Sequence, residues 1–223
     1  LIDINRLKEE QISLSKKLKL KDKIPIDRIR YVAGVDLTYL DIWKTKTLGI
    51  ACAVVIDVKN DFEVVEVKYA ESMVDFPYIP TFLAYRELPL VLDVSEKLKT
   101  RVDLFMLDGM GIIHPRRMGI AAHFGVLKGC VSMGCAKSHL IGEYEKPEEE
   151  PLSYKKVFIE GEHVGFVLRS RKNANPIFIS PGNNISLDSS LRMAIRCLNG
   201  YKLPEPTRLA HNLLQSYRRK LIG

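Results

Sequence analysis

The 223-residue chain is long enough for one domain with a substantial core, and its 46% hydrophobic and 27% charged content excludes a disordered or fibrous protein. A balance of 34 Lys and Arg against 27 Asp and Glu gives a net charge of +7, which favours a polyanionic partner. No apolar run approaches the ~18 residues of a membrane span, and the four cysteines form no CxxC or zinc-spaced set, so a cytoplasmic protein with Cys52 and Cys197 in its core is expected.

Residues 3–20 place Ile4, Leu7, Leu14 and Leu18 on one side and predict an amphipathic helix. Three strand-like runs follow with short polar connections: residues 30–40, 48–58 and 62–71, which predicts antiparallel hairpins. From Pro80 the apolar spacing becomes helical, up to the strand at 102–109. A helix over 116–129 and a strand over 131–137 complete an alternating unit. The run EYEKPEEE, 143–150, reads as a solvated acidic loop. Beyond it lie a hairpin turning at Glu160-Gly161-Glu162, a strand at 176–180 and two closing helices, the last with Pro206 in its first turn. A meander that continues into alternating units predicts an α/β domain, a mixed β-sheet flanked by helices, over residues 1–223.

Within this frame three carboxylates stand in unusual places. Asp36 lies in mid-strand in YVAGVDLTYL, where Asp is disfavoured. Glu87 belongs to the same i, i+4 row as Leu83 and Val91, either as a cleft residue or as a helix-edge acid neutralised by Arg86 or Lys97. Asp108 follows the apolar run Leu104 to Leu107, either at the mouth of a cleft or as a simple turn cap. If the first and fourth strands are parallel neighbours, the three acids meet. Three ionised carboxylates in one cleft require a cation, and hard oxygen ligands favour magnesium or manganese; two such ions about 4 Å apart would stabilise both oxygens of a phosphodiester displacement.

The motifs YVAGVDLTY, FPYIPTFLAYRE, DGMGIIHPRRMGIAAHFG, GCAKSHLIG, PIFISPGNNI and PEPTRLAH resemble, in content and order, those of the endonuclease V family, nucleases that incise near deaminated adenine. The resemblance implies a ribonuclease H-like fold, a metal-dependent endonuclease cutting on the 3′ side of inosine in DNA repair with 5′-phosphate products, and Mg2+ as cofactor with Mn2+ able to substitute. It also implies inosine-containing DNA as substrate, RNA as the alternative, no membrane partner and a monomer.

Position by position, the resemblance assigns metal binding to Asp36, Glu87 and Asp108 and adds His211 as a catalytic residue; on its own His211, among Leu209, Leu213 and Leu214, reads as a helix-face histidine. Pro77, Tyr78, Ile79 and Pro80 match a strand-separating wedge, with Tyr78 stacking, although a Pro-bracketed turn covering the core would look the same. Leu83, Gly109 and Gly111 would form the base pocket, Lys137 would contact phosphate, and His114, Arg116 and Arg117 would line the nucleic-acid side. Thr81, Met110 and Ala122 depart from the residues expected there, Gly, Gln and Ser; Met110 is expected to point away while the glycines present backbone to the base. The rival readings are another ribonuclease H-like nuclease of hybrid or branched DNA, an inosine-RNA-specific endoribonuclease, and a binding module without catalysis.

Overall fold

The computed structural model describes residues 2–223 as nine strands and five α-helices around one sheet. Helix α1 (Ile4–Ser15) precedes the meander β1 (Tyr31–Tyr39), β2 (Thr47–Asp57) and β3 (Glu63–Val74). Then come α2 (Leu83–Glu96), β4 (Leu104–Asp108), α3 (Ile120–Lys128) and β5 (Ser132–Ala136). The chain continues through β6 (Glu143–Tyr144), β7 (Tyr154–Ile159), β8 (Glu162–Leu168) and β9 (Ile177–Asn183). It closes with α4 (Leu187–Arg196) and α5 (Glu205–Ile222). The sheet order is β3-β2-β1-β4-β5-β9-β8-β7-β6, with β1, β4 and β5 parallel and the remaining pairings antiparallel, the mixed ribonuclease H-like arrangement expected.

Strand periodicity explains why both faces are covered. In β2, Ile50, Cys52, Val54 and Ile56 point to a core closed by α4 and α5, while Ala51, Ala53 and Val55 point to the core under α2 and α3. A third cluster joins Leu14 of α1 to Ile112, Ile113 and Phe178. Cys52 and Cys197 are fully buried, as expected. The two-residue turn Glu160-Gly161 has positive φ at both positions (52° and 79°), the geometry that suits the strand twist of a tight hairpin.

One local reading changes, and one helix carries an internal proline. The acidic segment is not all loop, because Glu143 and Tyr144 pair with Phe158 and Val157 at the sheet edge. Pro89 lies inside α2, where it removes one backbone donor; its exposed position keeps the ring clear of the core.

Candidate active site

The parallel pairing of β1 with β4 runs Val32 to Leu104 through Val35 to Leu107, so the next residue of each strand, Asp36 and Asp108, emerge side by side at the same sheet end. Both alternate onto the face covered by α5. Helix α5 can lie close to β1 because residue 34 is glycine: a Cβ there would stand 1.9 Å from the carbonyl oxygen of Pro206. The next turn and a half of α5 then delivers His211, whose Nδ1 lies 2.8 Å from Asp36 Oδ2. Ligand atoms of Asp36, Asp108 and His211 lie within 4.8 Å of one another.

Charge in this cluster is unbalanced. Lys137, one residue past β5, donates to Asp108 and lies 3.5 Å from His211 Nδ1. Burial opposes the Lys137 charge, but the adjoining Asp108 carboxylate more than offsets this and raises its pKa. Burial and then the Asp36 carboxylate push Asp108 up to about 6. Glu87 is pushed up to about 8 by burial, then by Asp108 and Asp36. One lysine therefore faces three acids. Arg86 forms no ion pair with Glu87, since its Nη2 donates to the carbonyls of Ile42 and Lys44, and its nearby charge offsets only part of the rise at Glu87; Lys97 pairs with Asp93 instead.

An electron-rich oxygen set with one imidazole and surplus negative charge fits a divalent cation. Asp36 and Asp108 were legible as candidates, whereas the tightest trio includes His211 rather than Glu87. Glu87 reaches the same cleft from α2 and lines the adjoining cavity with Asp108.

That cavity has a volume of about 300 Å³. Its walls include Tyr78 and Pro80 from the segment before α2, Leu83 and Ala84 from α2, Gly109 and Met110 after β4, Ile120 from α3 and His139 after β5. Tyr78 is 46% exposed at this rim, so its ring is not core covering. Pro77 and Ile79 are half-buried and are not among the residues that line the cavity.

Several residues take positions other than those expected from the sequence. Gly111 faces β9, not the cavity: a Cβ there would meet the Pro181 carbonyl oxygen at 2.0 Å, and its N–H donates to Ser180 Oγ. Met110 does not point away; it is buried and forms part of the cavity wall. Ala122 lies fully buried in α3, in the core beneath. The basic cluster is turned inward. His114 is buried but still lines the cavity; it is held neutral by a pKa lowered to about 4 through desolvation, and its Nε2 donates to the Thr81 carbonyl at 2.9 Å. Arg116 Nη2 donates to the same carbonyl at 3.1 Å and to Thr81 Oγ1 at 2.8 Å. Arg117 pairs with Glu162 at 2.7 Å.

Thr81 is thus the hub of a clamp that sequence reasoning missed. It has a φ of 67°, a left-handed conformation that a β-branched residue resists. Gln11 of α1 adds a third donor to its carbonyl at 3.2 Å. The available signal was Gln11 itself, a fully buried amide in the apolar row between Leu7 and Leu14.

The family model described as Endonuclease V matches residues 12–212. An Endonuclease V from Dictyoglomus turgidum is 43% identical over 206 residues, covering 92% of this chain and 86% of that one. The crystal structure of Endonuclease V from Bacillus subtilis superposes with a TM-score of 0.90 at 35% identity, covering 99% of this chain and 95% of that one. The Ciona intestinalis Endonuclease V, solved with a 24mer DNA containing an inosine followed by a ribo-adenosine, shares the fold with a TM-score of 0.83 at 24% identity, covering 98% of each chain. With its acids, histidine and cavity set on that fold, the chain belongs to the endonuclease V family.

Proposed function

We propose that the protein is a metal-dependent endonuclease that incises nucleic acid on the 3′ side of inosine, leaving 3′-hydroxyl and 5′-phosphate ends, in DNA repair. The observation that carries this reading is the adjacency of the Asp36, Asp108 and His211 cluster to a base-sized cavity, with Asp108 and Glu87 facing that cavity and Tyr78 at its rim. Asp36 and Asp108, with Glu87 beside them, would hold Mg2+, or Mn2+ in its place. A bound divalent ion supplies charge neutralisation at the phosphodiester oxygens.

The protein's own groups supply the rest. A carboxylate only accepts, so His211 donates its Nδ1 hydrogen to Asp36 and leaves Nε2 free to take a proton from water or to orient it. The Lys137 ammonium, held by Asp108, sets a positive charge beside the scissile phosphate. Tyr78 occupies the gap left when the base swings into the cavity, and Leu83, Gly109 and Met110 enclose that base. A nuclease reading only hybrid shape has no use for this rim and cavity, which favours the inosine reading over that rival.

Matched DNA and RNA strands, each with or without one inosine, test the proposal. Expected is incision confined to the inosine strands and dependent on added Mg2+. Equal cutting of inosine-free strands would remove the base-reading role of the cavity. Cutting restricted to RNA would place the protein with the inosine-RNA endoribonucleases.

A further inference from the structure

Beside the cleft, the loop joining β1 to β2 is built to expose an aromatic ring. Its sequence from residue 40 to 46 is LDIWKTK, and Trp43 is 82% exposed, the highest value among the large hydrophobic side chains described. An indole left in water forgoes one of the largest burial gains any side chain can make. The loop is nevertheless fixed in this form. Asp41 Oδ1 accepts from the Trp43 N–H at 3.0 Å, and the Asp41 N–H donates to Thr47 Oγ1 at 3.0 Å. Arg86 Nη2 then grips the carbonyls on either side of Trp43, those of Ile42 and Lys44, at 3.1 Å each. That arginine is 1% exposed and lies 4.4 Å from the Tyr39 ring centroid. One nitrogen of a buried cation thus holds the backbone on both sides of the exposed ring, while its charge also bears on Glu87.

The neighbourhood of that ring identifies what it meets. Its centroid lies 6.1 Å from that of Tyr78 at a 60° tilt, so the two rings do not stack on each other and Trp43 keeps a face open. Lys44 and Lys46 flank it, both exposed; Lys44 makes a loose pair with Asp41 at 3.5 Å, and Lys46 makes no ion pair among the described residues. Open aromatic faces interleaved with cations match a single-stranded polyanion whose bases stack, and fit an apolar protein partner less well.

We infer that Trp43 is a second stacking platform, taking the face of an unpaired nucleobase next to the one that Tyr78 displaces, with Lys44 and Lys46 against the flanking phosphates. Arg86 is its positioning residue. The inference rests on the proposed nuclease function for the presence of an unpaired base at this rim.

Trp43 is the sole tryptophan, so emission excited at the red edge, beyond the absorption of the nine tyrosines, reports on it alone. The full chain is titrated, in calcium, with a short single-stranded DNA containing inosine and with an abasic strand of equal length, while anisotropy of a labelled strand follows binding independently. Expected is saturable quenching by the base-bearing strand and little by the abasic one. Trp43→Ala should weaken binding about tenfold and Trp43→Phe about threefold or less, with thermal melts unchanged. Binding without quenching, equal quenching by the abasic strand, no strand binding by the wild type, or Trp43→Ala binding within twofold of wild type would each overturn the assignment. Inosine-directed cleavage by a protein whose Trp43 ignores the strand would leave the nuclease reading intact and remove only the platform. Quenching in a protein without inosine-directed cleavage would do the reverse.

Discussion

Gly34 and Pro206 are pressed together so closely that a Cβ on Gly34 would stand 1.9 Å from the Pro206 carbonyl oxygen, and this contact sets the distance between α5 and β1. Because the obstacle is backbone, it cannot rotate aside. Gly34→Ala should push the start of α5 outward, destabilise the fold by about 1–3 kcal/mol, and lower turnover at least tenfold by parting His211 from Asp36. A crystal structure of the variant with an unmoved α5, or wild-type turnover, would contradict this account.

Asp36 and Asp108 emerge from parallel neighbouring strands as the core of the acidic cluster. Asp36→Ala or Asp108→Ala should abolish cleavage while binding persists, because phosphate attraction is spread over the basic surface. Calcium should support binding without turnover, since its looser coordination misplaces the reacting groups. Near wild-type turnover in either variant would take that residue out of the metal site.

The pH dependence of stability follows from the same crowding. Asp108 is raised to about 6 and Glu87 to about 8, both above their ordinary values, so the folded state holds these protons more tightly than the unfolded chain does. Destabilisation is therefore absent below the ordinary carboxylate range, grows as pH rises through 6, and is complete above about 8. In a chelator the melting temperature should fall across that window. Magnesium at about a hundred times its dissociation constant should restore about 2.7 kcal/mol near neutral pH. A flat profile in chelator would show that the acids are not crowded in solution.

Tyr78 stands at the cavity rim three residues before Thr81, which Arg116 binds through its carbonyl and hydroxyl. Tyr78→Ala should weaken incision at inosine in a duplex more than in a single strand, because only the duplex has a stack to part. Arg116→Ala should reproduce that preference more weakly, about threefold, by freeing Thr81 from its left-handed conformation. Equal losses on both substrates would assign both residues to packing alone.

Met110 forms cavity wall, which reverses the expectation that it points away. Met110→Ala enlarges the cavity and should cost about 2–3 kcal/mol of stability. It should also reduce the ratio of inosine cleavage to undamaged-strand cleavage about tenfold, since shape then discriminates less. A ratio within threefold of wild type would return base reading to the backbone of Gly109.

Periodicity and turn chemistry determined most of the architecture: alternation in residues 30–71 specified the meander, and the apolar run ending at Asp108 specified a strand with an acid at its mouth. Those features are local, and a chain carries its local preferences in its own order. The motifs by themselves also point to the acids, His211 and the Tyr78 segment. What side chains do at those positions was decided only by the tertiary structure. Gly109 and Gly111 look alike in sequence, yet one borders the cavity and the other yields to the Pro181 carbonyl of a strand some seventy residues on. His114 and Arg116 read as a basic surface but turn inward, because the left-handed Thr81 offers a carbonyl that three distant donors can share. Contacts of this kind depend on which elements the sheet order brings together, and no residue's own neighbours in the chain encode them.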